Sequence, residues 1–104
     1  MKKYTVQMTQ AAINDLETIY TYISNVLLSV DTAKQQCSRI LEKINSLETF
    51  PKRNRELYLK ENIPYHQIQV DNYAAFYSIS YDTVTIFRIL YSASNLLERL
   101  EKYG

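Results

Sequence analysis

The side chains best suited to binding an anion form one basic segment in the middle of the chain. They are Lys52, Arg53, Arg55 and Lys60. Lysine and arginine side chains grouped in this way bind phosphate oxygens through charge-assisted hydrogen bonds. A surface loop kept soluble by its charges has a similar composition, and the neighbouring Glu56 fits that alternative. The segment is therefore a candidate phosphate- or target-binding site, with a solvated loop as the alternative.

Three isolated residues further along the chain could take part in catalysis. His66 is the only histidine; it could transfer a proton near neutral pH, and a buried structural role also fits it. Arg88 interrupts a mainly apolar run, where a charged group must face an open surface or meet a carboxylate, because burying it alone is costly. Tyr91 ends that run, and a phenol there could stack on a base, donate a proton or simply pack.

The composition excludes several kinds of site. The only glycine is Gly104, so a phosphate-binding loop, a dinucleotide fingerprint and an EF-hand are all excluded, since each needs internal glycines. One cysteine, Cys37, and one histidine cannot build an internal disulfide or a multi-thiolate zinc site. No metal and no small-molecule cofactor are expected. A net charge of +1 gives no general attraction to nucleic acid, so any such contact must come from a local patch.

The length and hydropathy of the chain predict a single cytoplasmic domain. A chain of about 100 residues can bury one core without disulfides, and we expect one domain over residues 1–104. No apolar run approaches the ~18 residues of a membrane span, and no export signal is recognisable at the start. The expectation is a soluble, reduced, intracellular protein with no membrane partner.

Apolar periodicity predicts a strand followed by two helices. Residues 3–8 alternate apolar and polar side chains, as in a half-buried strand. Thr9 is placed to cap the first helix and Asp31 the second, which ends at Phe50-Pro51. A short link favours an antiparallel helix hairpin. The apolar stripes of the two helices are Ala12, Leu16, Ile19, Ile23 and Leu27, then Ala33, Cys37, Ile40, Leu41, Ile44 and Leu47.

The second half of the chain predicts four strands and a last helix. The strands are expected over 57–59, 65–70, 73–80 and 83–91, and the helix over 95–103. Short polar links favour antiparallel pairing. The turn residues expected to replace glycine in the left-handed conformation are Asn54, Asn62, Asn72 and Asp82. The order β-αα-ββββ-α predicts an α+β fold: an N-terminal strand and helix hairpin packed on a curved antiparallel sheet with a partly open second face, and a short C-terminal helix.

Taken in order, these residues resemble the RelE/ParE superfamily of bacterial toxin–antitoxin toxins. The first matching block is Tyr4-x-Val6-x-x-Thr9-x-x-Ala12-x-x-Asp15-Leu16-x-x-Ile19-x-x-Tyr22-Ile23. Thr32-Ala33, Ile44-x-x-Leu47 and Phe50-Pro51 follow, then His66-x-Ile68-x-Val70-x-Asn72-Tyr73-x-x-Phe76-Tyr77 and Val84-x-Ile86-x-Arg88-Ile89-Leu90-Tyr91. The blocks cover nearly the whole chain. The family fold is the one derived above, a helix hairpin on a curved antiparallel sheet.

The resemblance implies a growth-inhibiting toxin that a cognate antitoxin neutralises. Relatives similar to RelE cleave mRNA on the ribosome with basic residues and a Tyr or His, whereas relatives similar to ParE poison DNA gyrase. On the RelE-like alternative, His66, Arg88 and Tyr91 would be catalytic. A third alternative is a degenerate, non-toxic binding module. The resemblance also predicts antitoxin contacts at the C-terminus, through Leu96, Leu97, Leu100 and Tyr103.

Two departures from the family pattern favour the ParE-like alternative. The family often has an arginine where this chain has His66, and a glycine with one or more arginines after the last strand. Here that stretch has no positive charge: it is Ser92-Ala93-Ser94-Asn95. Cleavage of RNA needs a group to take the 2′-OH proton, a group to protonate the leaving oxygen and charge to offset the phosphorane. This chain supplies a thin set for that reaction, and we expect a gyrase poison or another toxin that is not a ribonuclease.

Overall fold

The computed structural model describes residues 3–54, 56–58 and 63–92, which form two α-helices and five strands. The helices are α1 (Gln10–Thr21) and α2 (Val30–Asn45), with a π-helical turn (Tyr22–Val26) after α1 and 3₁₀ turns at Ser46–Glu48 and Pro51–Arg53. The strands are β1 (Thr5–Met8), β2 (Glu56–Tyr58), β3 (Pro64–Val70), β4 (Tyr73–Ser80) and β5 (Thr83–Tyr91). The predicted strand at 57–59 is confirmed one residue earlier. Asn62 lies outside the described residues. So does the predicted C-terminal helix, with the predicted antitoxin contacts on it.

Side-chain caps define where both helices begin. Thr9 is extended and its hydroxyl accepts the Ala12 N–H, as predicted for α1. The predicted cap of α2 is wrong: Ser29 is the extended residue, and its hydroxyl accepts the Thr32 N–H. Asp31 lies in the first turn instead, where a carboxylate stabilises the helix through its dipole.

The sheet has the order β1-β5-β4-β3-β2. Strands β2 to β5 pair antiparallel, with two-residue links between β3 and β4 and between β4 and β5. The α+β class is confirmed, but one pairing departs from the predicted antiparallel sheet, because β1 lies parallel to β5. The long connection through both helices permits this, since parallel neighbours need a crossover of a dozen or more residues.

The helix hairpin packs on one face of the sheet and forms the main core there. The predicted stripes are confirmed at Ala12, Ile19, Ile23, Ala33, Ile40, Ile44 and Leu47, which are all buried. Leu27 and Leu41 were wrongly assigned to the core and are exposed. The π-helical turn carries an extra residue per turn, closed by the Leu27 N–H to the Tyr22 carbonyl, and this rotates Leu27 out of the α1 stripe. In α2 the core positions are taken by Ile40 and Ile44.

The second face of the sheet is less open than predicted. It carries a separate apolar cluster in which Tyr65, Phe76 and Leu90 are buried. The rings of Tyr65, Phe76 and Phe87 meet at tilted or edge-on angles, with centroids 5.9 to 6.5 Å apart, a favourable arrangement for aromatic side chains. This face therefore carries a second apolar core.

The turns adopt left-handed backbone at residues other than the predicted ones. Positive φ angles of 50° to 56° occur at Leu28, Phe50, Asp71 and Tyr81. Asn54 is extended, with φ −87° and ψ 146°, and neither Asn72 nor Asp82 has a positive φ. In each two-residue hairpin link it is the first residue that turns left-handed, because the link geometry rather than the residue preference selects the position.

Candidate functional site

His66 is buried at the start of β3 and both of its ring nitrogens face polar groups. Nδ1 lies 2.9 Å from the Asn54 carbonyl oxygen, and because a carbonyl only accepts, Nδ1 must carry the proton. Nε2 lies 3.7 Å from a Glu56 carboxylate oxygen. The ring stacks on the Tyr77 ring, with centroids 5.3 Å apart and planes 17° apart. The geometry thus gives His66 a clear structural task, to hold Asn54 in place.

Tyr77 holds the same segment from β4. Its side chain is fully buried, and its hydroxyl donates to the Pro51 carbonyl at 2.6 Å and accepts the Asn54 amide N–H at 2.8 Å. Burial raises the pKa of the Tyr77 phenol, so the hydroxyl stays a donor at neutral pH. Two stacked rings on neighbouring strands therefore fix both ends of the turn that carries Lys52 and Arg53.

A cleft of about 670 Å³ lies beside this turn. Its lining includes Lys52, Arg53, Glu56 and His66. The predicted phosphate-binding residues within the described range are thus brought together with the predicted acid–base histidine. Arg55 and Lys60 lie outside the described residues.

The Arg53 guanidinium, however, is already engaged within the chain. It donates to the Thr49 carbonyl at 2.8 Å and to the Ser46 hydroxyl at 2.9 Å. These groups follow the C-terminal end of α2, where cations stabilise the unsatisfied carbonyls. Lys52, which is exposed like Arg53, is the other cation in the described part of this cleft.

Arg88 forms a nearly buried ion pair with Asp15 of α1. Nε and Nη2 donate to the two carboxylate oxygens at 2.7 and 2.8 Å, the bidentate geometry that suits arginine. The side chains are only 11% and 15% exposed. Of the two expected placements, the pairing with a carboxylate is the one observed.

The Asp15 carboxylate also completes the edge of β5. Strand β1 ends at Met8, and a bulge at Phe87 shifts the pairing of β5 with β4 just beyond that point. The Ile89 N–H donates to Asp15 at 2.9 Å, and the Thr9 hydroxyl donates to the Phe87 carbonyl at 3.2 Å. Asp15 of α1 and its cap residue Thr9 thus bond to the β5 backbone groups that a longer β1 would otherwise pair with.

Tyr91 lines a different cleft, of about 580 Å³, between α1, the π-helical turn and the ends of β4 and β5. Its ring meets Tyr73 edge-on at 5.7 Å, and burial, followed by the nearby Tyr91 phenol, raises the pKa of Tyr73. Tyr91 pairs with Tyr73, which pairs with Val70, so His66 lies further back along β3 and two strands away. With a rise of about 3.3 Å per residue and a strand spacing of about 4.8 Å, the Cα atoms of Tyr91 and His66 are about 16 Å apart.

The three predicted catalytic residues are therefore not assembled into one site. His66 lies in the basic cleft, Arg88 is paired to α1 and Tyr91 lines the other cleft. The sequence assigned no site role to Tyr77 or Asp15, although the lone arginine in an apolar strand indicated that a carboxylate partner was one of its two possible placements. In the described ranges no cluster of three His, Cys, Asp or Glu side chains could hold a metal ion. The predicted antitoxin contacts Leu96, Leu97, Leu100 and Tyr103 lie beyond the described residues.

Comparison with solved structures places this fold among toxin–antitoxin toxins. The chain is similar to a chromosomal ParDE system of Pseudomonas aeruginosa, with a TM-score of 0.70 and 18% identity over 86% of this chain and 96% of that one. It is also similar to a chain of the RelE–RelB complex of Pyrococcus horikoshii (TM-score 0.62, 16% identity, 88% and 97% covered). A third similar structure is the RelBE2 toxin–antitoxin complex of Mycobacterium tuberculosis (0.63, 23%, 90% and 97%). At these identities the likeness concerns the fold.

The fold is the one that these toxin–antitoxin structures share, as the sequence resemblance predicted. Residues 6–96 match the family model for the ParE toxin of type II toxin–antitoxin systems. The chain belongs to that family. A comparison with curated proteins finds no match. Neither helix in the described part of the chain is long and apolar enough to cross a membrane.

Proposed function

We propose that this chain inhibits growth as a ParE-like toxin that does not cleave RNA, with DNA gyrase as its target, and that a cognate antitoxin neutralises it. The observation that carries the proposal is that His66 and Tyr91 line different clefts while Arg88 is paired with Asp15. A ribonuclease must bring a base, an acid and a cation to one phosphodiester. In this fold the three candidates serve different local structures.

The surroundings of His66 support the proposal further. Its Nδ1–H is committed to the Asn54 carbonyl and its Nε2 faces Glu56. The Glu56 carboxylate beside Nε2 would repel an RNA phosphate that approached His66. The net charge of +1 also provides little of the positive field that ribosome and mRNA binding rewards.

A specific observation keeps the ribonuclease as the second candidate. Lys52 and His66 line one cleft, so a cation and a proton-transfer group lie within reach of one ligand. On this alternative the ribosome-bound mRNA is the substrate, and Lys52 binds its phosphate. The same cleft is the contact we assign to the target under the first proposal, through Lys52 and its neighbours.

Two assays separate the candidates. Induced expression of the wild-type chain should arrest growth, and the purified chain should inhibit gyrase supercoiling while leaving ribosome-bound mRNA intact. If mRNA is cleaved, and His66→Ala or Tyr91→Phe abolishes cleavage, the ribonuclease is correct. Cleavage that survives both substitutions would reject the assigned site. A chain without any effect on growth would indicate a non-toxic binding module.

A further inference from the structure

The turn that joins α1 to α2 exposes an unusual concentration of large apolar side chains. We define the tip surface as Tyr22, Val26, Leu27, Leu28 and Val30, each at least 50% exposed, with Leu28 at 84%. No charged residue occurs between Glu17 and Asp31. Contiguous exposed apolar surface without charge is characteristic of the centre of a protein–protein interface.

The tip surface continues into the cleft that Tyr91 lines. Tyr22 and Leu27 belong to both, and Tyr73, Ile89 and Tyr91 form the opposite wall. Tyrosine is among the residue types enriched at interfaces, since it combines a large apolar ring with a polar end. An apolar ridge beside a partly apolar cleft can receive a partner segment that inserts aliphatic or aromatic side chains.

The backbone of the tip supports an external role for these side chains. Leu28 follows the π-helical turn with φ 55°, at the position where helices usually place glycine. A leucine there costs about 1 kcal/mol, and a side chain so exposed recovers little of that cost through packing within the chain. Such unfavourable local choices concentrate at functional surfaces.

We propose that the tip surface and the adjoining cleft dock an amphipathic segment of the cognate antitoxin, apolar at its centre and basic at its ends. The residues that bound the uncharged stretch, Glu17 and Asp31, are both acidic and exposed. Basic flanks on the partner would complement them, whereas a second copy of this chain would bring like charges together. This inference rests on the proposed neutralisation by an antitoxin.

A pair of matched variants tests the docking surface. Leu28 and Phe50 are both large, exposed and left-handed, and aspartate tolerates that conformation. Phe50 precedes the basic turn and lies outside the tip surface. The probe is the purified product of the reading frame adjacent to the toxin's, titrated against the full-length wild-type chain, L28D and F50D by calorimetry, with growth measured in parallel.

We expect L28D to raise the Kd by about ten-fold or more and to stay toxic when the adjacent gene is co-expressed, while F50D binds like the wild type. Equal binding of L28D and wild type, or no binding of the wild type, would overturn the docking surface. Self-association of the wild type that L28D abolishes would also overturn it, by identifying a homodimer interface. If the wild type leaves growth unaffected, the toxin proposal fails, and the titration still decides the surface.

Discussion

The ion pair between Arg88 and Asp15 allows a direct test of whether a nearly buried charge pair stabilises this fold. Replacing Arg88 with methionine keeps an unbranched side chain of similar length but removes the guanidinium. The Asp15 carboxylate, 15% exposed, then keeps the Ile89 N–H but loses its bidentate partner. Breaking a buried ion pair in this way costs about 3 kcal/mol, which for a domain near 100 residues lowers the Tm by about 15 °C.

The double variant R88M/D15L tests whether the loss of stability in R88M comes from leaving the Asp15 carboxylate without its partner. Removing both charges leaves no carboxylate without its cation, although the Ile89 N–H loses its acceptor at a cost of about 1 kcal/mol. The double variant should therefore melt well above R88M. Thermal unfolding followed by circular dichroism measures R88M, D15L and the double variant, and the departure from additivity gives the coupling energy. The control is Lys3→Met, which removes an exposed pair with Glu48 at 3.7 Å and should change stability by less than about 0.5 kcal/mol.

The same variants separate a structural Arg88 from a catalytic one. If the arginine acts only through Asp15, R88M/D15L should recover growth inhibition together with stability. A double variant that folds stably but no longer inhibits growth would assign Arg88 to catalysis or target binding. An R88M protein that melts with the wild type would refute the structural assignment altogether.

For three further substitutions the structure predicts whether folding stability rises or falls. Tyr77→Phe removes the donor to the buried Pro51 carbonyl and should destabilise the chain by about 1–2 kcal/mol in urea unfolding. The hydrogen bond from Arg39, and then that from Gln36, lowers the pKa of Asp71. The stabilisation is therefore present above the unfolded pKa and is lost as the pH falls below about 4, so Asp71→Asn should flatten the acid limb of the stability curve. Leu28→Gly should stabilise the chain by about 0.5–1 kcal/mol, measured in the same way, because glycine accepts the left-handed backbone.

Each of these perturbations has a matched comparison. Tyr73→Phe alters a partly exposed phenol and should cost less than Tyr77→Phe; equal losses would contradict the role given to the buried hydroxyl. Tyr81→Gly should stabilise as Leu28→Gly does, since Tyr81 is also left-handed and exposed. An unchanged acid limb in Asp71→Asn would show that the contacts with α2 contribute nothing to folding.

Most of the elements followed from local patterns in the sequence. Alternation predicted β3, β4 and β5 nearly to the residue, and helical spacing predicted both helices, because these periods depend only on neighbouring side chains. The cap of α2 and the position of Leu27 did not follow. Ser29, two residues before Asp31, is the residue that caps α2. The π-helical turn changed the helical phase, and the apolar periodicity does not predict such a turn.

The candidate site was predictable only as a set of residue types. Lys52 and Arg53 of the basic segment do share a cleft with His66, since the Asn54 carbonyl beside them is bonded to the His66 ring. The hydrogen bonds of Arg53 could not be predicted from the pattern of charges, because its acceptors are carbonyl and hydroxyl oxygens that follow α2. Tyr77 looked like one packing tyrosine among ten.

The sequence by itself determined what chemistry is excluded and which family the chain resembles. Without an internal glycine and with one cysteine, neither a glycine-rich nucleotide loop nor a multi-thiolate metal site can form within this chain. Only the tertiary structure decided where His66, Arg88 and Tyr91 lie. It paired Arg88 with a carboxylate 73 positions away and placed Tyr91 at the opposite end of the sheet from His66. The physical reason is that composition and periodicity act locally, whereas the meeting of distant side chains depends on how strands align and helices cross them.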